Sequence, residues 1–377
     1  MSMTASPITD RVLMGPGPCN PYPEVMAALG RPMLGHLDPE FIELLDQTNE
    51  RLRIVFGTAN ALTFPLSGTG SAGMEAAFVN LVEPGDVAVV GVNGVFGERM
   101  VDVAGRCGAT VVRVESEWGV PIDAEALVSA HPSPKVIAVV HAETSTGVRN
   151  DVHELRSMLR ANPGEGPPPL LLLDCVTSVG GLPVLLDDWG IDVAYAGTQK
   201  CLGVPPGLAP LSVSGDAQLR LLPTPRSWYL DLNMIARYVG GDGARAYHHT
   251  APVSMIFALH AGLGALLAEG LPAVQERHRA CGTALQAGLE DLGLTLFAKE
   301  GNRLPQLTSV WVPLDRLPGD MDEPGARRAL LDRFGIEIGG GIGEFAGKVW
   351  RIGCMGHTAR PRNVMLLLAA LEELLAP

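Results

Sequence analysis

The chain reads as an α/β protein: a large domain built on a mainly parallel sheet, followed by a smaller α+β C-terminal domain. Three observations predict this. Between about residues 60 and 214, short apolar β-rich runs alternate with helical stretches, the alternation that strand-helix-strand units produce. One run, 170–174, holds four leucines with no polar break, as expected of a parallel strand buried on both faces. After residue 253 the texture becomes helix-rich, with only short strand-like segments.

Taken in order, the expected strands of the first part are 87–91, 110–114, 135–141, 170–174, 193–196 and 208–213, with helices at 71–82, 95–107 and 152–160. In the second part, 253–268 and 271–292 read as long helices and 295–297, 307–312 and 349–352 as strands. These readings divide the chain into an N-terminal arm (1–20), a large domain (21–252) and a small domain (253–377). A chain of 377 residues is long enough for two such cores.

Composition narrows the function classes. With 18% charged residues and 47% hydrophobic ones, the chain is expected to be ordered throughout. A formal charge of −13 disfavours nucleic acid or an anionic membrane as the main partner, though small anionic substrates remain compatible with local positive groups. The six cysteines have neither metal-like nor disulfide-framework spacing. Residues 1–13 lack an apolar run long enough for a secretion signal. A cytoplasmic enzyme with reduced thiols is the expectation.

The chemistry-bearing residues form an ordered set. Ser67-Gly68-Thr69-Gly70-Ser71-Ala72-Gly73 follows an apolar run and opens a helix, so free backbone N–H groups and the positive helix end make an anion cup. It contains G-x-G-x-x-G, but a dinucleotide fold needs an acidic residue at the end of the next strand. Here that strand runs into Asn93-Gly94. A single phosphate fits better. Asp174 ends the most apolar strand, where open α/β sheets place ligand-binding groups, and a carboxylate there faces either a cationic ligand nitrogen or an ordinary cap or ion pair. Lys200 follows the next strand. A buried lysine beside another cation loses its proton easily and becomes the amine that condenses with an aldehyde.

Arg351 lies on an apolar strand of the second domain, where a guanidinium needs an anion. A substrate carboxylate or an internal acid both satisfy it. Phe96 follows a strand and suits either core packing or stacking on a flat ring. Tyr247-His248-His249-Thr250 carries no metal-binding spacing, because adjacent histidines in an extended segment point apart. The hydroxyls of Tyr247 and Thr250 suit either a phosphate or the ordinary work of turn and cap residues.

With these motifs, Gly15-Pro16-Gly17-Pro18, Asn93-Gly94-Val95-Phe96-Gly97, Ser145-Thr146-Gly147, Gln199-Lys200 and Lys348-Val349-Trp350-Arg351-Ile352-Gly353 in this order, the chain resembles the class V aminotransferases, above all those acting on alanine or serine with glyoxylate or pyruvate. The resemblance spans nearly the whole chain. It implies the fold type I architecture with a seven-stranded sheet, pyridoxal 5'-phosphate as cofactor, and a homodimer with sites at the subunit interface. It further implies that Lys200 bonds the cofactor, Asp174 faces its ring nitrogen, Phe96 stacks on the ring and Val176 packs beneath it. Thr69, Gly70, Ser71 and Gln199 would contact the phosphate, with Tyr247 and Thr250 reaching it from the other subunit. Ser145 would make a polar contact near the ring and the substrate, Gly17 would line the substrate, and Arg351 would clamp its carboxylate. Phe96 and Ser71 stand where many relatives have Trp and some have His.

The implied reaction is ping-pong transfer of an amino group from a small amino acid to a small 2-oxoacid. Three alternatives stand beside it: a 2-aminoethylphosphonate transaminase, a cofactor-binding regulator without turnover, and a nicotinamide-dependent oxidoreductase using the Gly68–Gly73 turn. A cysteine desulfurase fits poorly, because such enzymes usually carry His at the positions of Phe96 and Gln199.

Overall fold

The computed structural model describes residues 9–240 and 245–376. Its centre is a seven-stranded sheet made of β1 (Leu62–Ser67), β2 (Val87–Val92), β3 (Thr110–Glu115), β4 (Val136–Val140), β5 (Leu170–Asp174), β6 (Val193–Tyr195) and β7 (Leu208–Val213). The spatial order is β1-β7-β6-β5-β4-β2-β3. Only β7 runs against its neighbours, so the other six strands point the same way. Strands β4, β5 and β6 are buried along their whole length, which is why their sequences show no polar alternation.

Four helices set the ends of this sheet. α1 (Pro23–Leu29) and α2 (Pro39–Phe56) precede it; α3 (Gly70–Leu81) and α4 (Val95–Arg106) start immediately after β1 and β2. Helix α2 has clear start and stop signals. Asp38 accepts from the Glu40 N–H, Pro39 occupies the first turn, and Gly57 closes the helix at φ 58°. Because β1, β2, β4, β5 and β6 all end on one side, the turns at 67–71, 93–97, 141–147, 174–176 and 196–200 gather at a single edge, the usual place for a ligand.

The second core surrounds an antiparallel sheet of β8 (Leu307–Trp311), β10 (Val349–Gly353) and, at its edge, β9 (Gly339–Gly340). Trp350, Ile352, Leu330 and Leu371 are buried in it. The N-terminal arm belongs to it as well: Val12–Leu13 pairs in parallel with Ile336–Glu337, and Met14 is fully buried. Residues 295–297, expected as a strand, make only the Leu296–Val310 bridge before Lys299 turns away to bond the Gly119 carbonyl.

Packing also divides the chain differently from its texture. α5 (Val253–Glu269) lies in the first core, with Phe257 edge-on to Phe41 of α2 at 6.2 Å. In α6 (Leu271–Asp291), Val274 belongs to the first core, whereas Cys281, Leu285 and Leu289 belong to the second. The apolar character of α5 that marks a change at residue 253 is therefore the mark of a helix buried under α1 and α2. The two cores part within α6, between Val274 and Cys281.

Candidate active site

Asp174 closes β5 and is almost inaccessible to solvent. Its Oδ1 accepts from the Val176 N–H at 2.8 Å and its Oδ2 from the Tyr195 hydroxyl at 2.9 Å. Tyr195 is the residue opposite Asp174 on the neighbouring strand β6. Burial pushes the Asp174 carboxyl up to about 7, with the Val176 N–H, the Tyr195 hydroxyl and Lys200 opposing and Glu143 adding to the rise. No Lys, Arg or His forms an ion pair with it among the described residues. A cation placed against Asp174 would restore its charge.

Lys200 sits on the turn after β6, also buried, and its Nζ donates to the Pro16 carbonyl of the N-terminal arm. Burial lowers its ammonium to about 8, and the Arg351 guanidinium is the second cause. Both effects raise the share of Lys200 that is an uncharged, nucleophilic amine near neutral pH. Gly17 makes this approach possible: a methyl group there would lie 2.6 Å from Lys200 Cδ and 2.9 Å from Nζ, and its φ of 104° suits glycine alone.

Arg351, central on β10, is the third buried charge. Its Nε donates to the Gly340 carbonyl at 2.8 Å, and among the described residues the terminal nitrogens have no hydrogen bond and no carboxylate partner. Burial lowers it to about 10, while Glu143 acts in the opposite sense. A planar guanidinium left open in this way is suited to a carboxylate.

Around these three charges the turns are open to a ligand. α3 begins at Gly70 with Thr69 as N-cap, yet the Thr69 side chain caps nothing, and Thr69 and Ser71 are exposed. A methyl group at Gly70 would come within 2.8 Å of Val176 Cγ2, so the helix start and the turn after Asp174 are in contact. Phe96 is half-buried in the first turn of α4, and Gln199 keeps a buried Oε1 with no partner. Ser145 is buried and its Oγ accepts from the Val95 N–H at 2.9 Å. Tyr247 and Thr250 are exposed. Tyr247 packs on His36 at 5.2 Å, and neither has a hydrogen bond to this group of residues.

Two buried polar positions of the candidate site escape sequence reasoning. Tyr195 is one; its place opposite Asp174 becomes visible only once β5 and β6 are paired. Glu143 is the other, wholly buried in the short strand Ala142–Glu143 that follows β4 and pairs with Val148–Arg149. Its Oε2 accepts from the Phe96 and Gly97 N–H groups at 3.1 and 3.3 Å, and its Oε1 from the Ser145 N–H at 3.0 Å and the Ser145 hydroxyl. Burial pushes its carboxyl up despite these donors. A carboxylate beside Ser145-Thr146-Gly147 was the available signal.

A heterocyclic aldehyde phosphate fits the set: an open helix start and the orphaned Gln199 Oε1 for the phosphate, Asp174 for a ring nitrogen, and a lysine of lowered proton affinity for the aldehyde. Comparison with known proteins agrees. The model of the family described as aminotransferase class-V matches residues 18–323. The fold is similar to the crystal structure of an alanine–glyoxylate aminotransferase from Nostoc sp., with a TM-score of 0.92 and 43% identity over 100% of this chain and 98% of that one. In sequence the chain is 40% identical to the alanine–glyoxylate aminotransferase of Callithrix jacchus over 98% of this chain and 88% of the relative. It is 37% identical to the (S)-ureidoglycine–glyoxylate transaminase of Bacillus subtilis over 97% and 90%.

Proposed function

Because the chain belongs to the class V aminotransferases, pyridoxal-phosphate enzymes of fold type I, we propose that it transfers the amino group of a small amino acid, alanine or serine, to glyoxylate or pyruvate. The observation that carries this reading is Arg351: a buried guanidinium with open terminal nitrogens, close enough to Lys200 to lower its proton affinity. Its Nε is committed to Gly340, so the remaining N–H groups are oriented to take a substrate carboxylate in bidentate fashion. That grip fixes the Cα–H bond relative to Lys200.

Pyridoxal phosphate, when bound, supplies an aldehyde carbon for the amino group and a ring that takes up the electrons released at Cα. The chain's own residues do the rest. Lys200 would hold the cofactor by its aldehyde carbon, and with its Nζ free and neutral it would serve as the base that accepts the substrate's Cα proton and as the acid that gives it back. Asp174 would keep the ring nitrogen protonated; Tyr195 and the Val176 N–H hold that carboxylate in place. Phe96 would stack on the ring with Val176 supporting it, while Thr69, Gly70, Ser71 and Gln199 would hold the phosphate. Ser145 and Gly17 bound the space for a small substrate. Reversal with a second oxoacid completes a ping-pong cycle.

The exposure of Tyr247 and Thr250 supports a homodimer in which these hydroxyls complete the phosphate site of the other subunit. The six cysteines, all buried and unpaired, support a reducing, cytoplasmic setting. The three glyoxylate-using proteins to which the chain is similar support glyoxylate as the acceptor. A panel of alanine, serine, (S)-ureidoglycine and 2-aminoethylphosphonate against glyoxylate, pyruvate and 2-oxoglutarate tests the assignment. Turnover of alanine or serine with glyoxylate or pyruvate is expected, and turnover of the phosphonate in their place would overturn it.

A further inference from the structure

The residues assigned to the cofactor phosphate share a shortage of charge. Thr69, Gly70, Ser71, Gln199, Tyr247 and Thr250 are all neutral, and a helix end contributes only about half an elementary charge. A phosphate monoester carries about −1.5 to −2 at neutral pH. The side chain placed to make up the difference is Arg99, one turn into α4.

Arg99 joins two parts of the site that are far apart in sequence. Its Nη1 donates to Ser71 Oγ at 3.1 Å, in the first turn of α3. Its guanidinium carbon also lies 4.9 Å from the centroid of the Phe96 ring, within cation–π range. The charges nearby are otherwise paired: Arg113 with Glu98 and Glu115, Arg106 with Asp102. Arg99 has no carboxylate partner among the described residues, and its positive charge is felt at the Tyr195 hydroxyl, which bonds Asp174. An unpaired arginine held at the start of α3 by the very hydroxyl assigned to the phosphate is placed for that anion.

We propose that Arg99 is a further cofactor-binding residue, whose guanidinium pairs with the phosphate of pyridoxal phosphate at the start of α3 and shares it with Ser71. The inference rests on the pyridoxal-phosphate reading of the site. Ser71 Oγ serves as the hinge: it accepts from Arg99 and can donate its own proton to a phosphate oxygen. Arg99 thus also backs the Phe96 ring, so that phosphate and ring are held by one connected unit.

Comparing two ligands that differ only in the phosphate tests this. Dissociation constants of pyridoxal phosphate and of pyridoxal are measured for the apo forms of wild type, Arg99→Gln and Arg99→Lys, from the visible absorbance of the lysine-bound aldehyde. Arg99→Gln is expected to weaken pyridoxal phosphate about tenfold, the effect of losing one exposed charge-assisted hydrogen bond, and to leave pyridoxal within about twofold. Arg99→Lys keeps the charge and should recover most of the loss. Equal weakening of both ligands would make Arg99 a support for Phe96 or for the fold and overturn the proposal, as would an unchanged constant for pyridoxal phosphate. Failure of the wild type to take up either aldehyde would instead sink the underlying cofactor reading.

Discussion

Asp174 and Asp192 are both buried, one at each end of the paired strands β5 and β6, and the fold treats them in opposite ways. Asp192, at the amino end, accepts from the Leu171 N–H at 2.7 Å and from Arg156, whose other nitrogens bond the Gly190 and Pro169 carbonyls at 2.9 and 3.2 Å. Ser214 donates to its second oxygen at 3.3 Å. Every strong group there has a partner within the chain. Asp174, at the carboxyl end, has two neutral donors and no cation. The same contrast separates Arg156 from Arg351, which bonds one carbonyl and leaves its terminal nitrogens open. A buried charge costs stability unless it is paired, so a closed pair at one end and open charges at the other mark which end waits for a ligand.

The comparison is broken most directly at Lys200 and Asp174. Lys200→Ala should remove both transamination and the visible absorbance of bound cofactor, with the folded state intact. Retention of either signal would refute its role. Asp174→Asn is expected to slow the half-reaction with alanine about a hundredfold to a thousandfold, the scale for losing one electrostatic stabiliser of developing charge, with little loss of stability. Asp192→Asn should do the reverse: about 3 kcal/mol of unfolding free energy lost as Arg156 is orphaned, with the rate per folded molecule unchanged. Stopped-flow absorbance and urea denaturation, run on both variants, read the two effects. A shared phenotype would mean that the two ends are not divided between stability and chemistry.

Much of this division was legible before any coordinates. Strands buried on both faces declare themselves by composition, which is why 170–174 and 208–213 matched to the residue. Lys200 and Asp174 follow from their positions after such strands. What stayed hidden depends on contacts between distant segments. Glu143 is bonded by residues 46 and 47 positions earlier, and Lys200 by a carbonyl 184 positions earlier in the arm. No local pattern reports such pairings. The core that receives α5 stayed hidden for a related reason: an apolar helix looks the same whichever core it joins, and contacts such as Phe257 on Phe41 decide.

Arg351 sharpens the comparison at the level of binding. Arg351→Gln should raise the KM for the amino acid about tenfold to a hundredfold, the cost of losing a charged bidentate contact, with a smaller change in kcat. The same variant has a pH signature. Lys200 is lowered to about 8, first by burial and second by Arg351. The neutral amine is the reactive form, so the rate of cofactor loading onto the apo protein should rise with pH through a midpoint near 8. Removing the like charge at residue 351 raises the lysine's proton affinity and moves that midpoint upward. A midpoint that stays put would show that burial alone tunes Lys200.

Glu143 tests the smallest difference, that between a charge left open and a charge closed within the active site itself. Its two oxygens accept from Phe96, Gly97 and Ser145, so it resembles Asp192 in satisfaction although it lies among the open charges. Glu143→Gln sets an amide NH2 against one of these donors in either orientation. The expected loss is about 1–3 kcal/mol of unfolding free energy, the cost of leaving a buried donor without an acceptor. Glu143 also favours the charged form of Arg351, which gives the variant a second route, through Arg351, to weaker substrate binding. The hydrogen bonds outweigh that longer-range effect if the carboxylate is a staple for the start of α4. The KM for alanine should then change by less than in Arg351→Gln while the melting temperature falls. If instead KM rises as far as in Arg351→Gln at unchanged stability, Glu143 acts on the substrate clamp through its charge, and the active-site end of the sheet holds one more working carboxylate than the hydrogen bonds alone reveal.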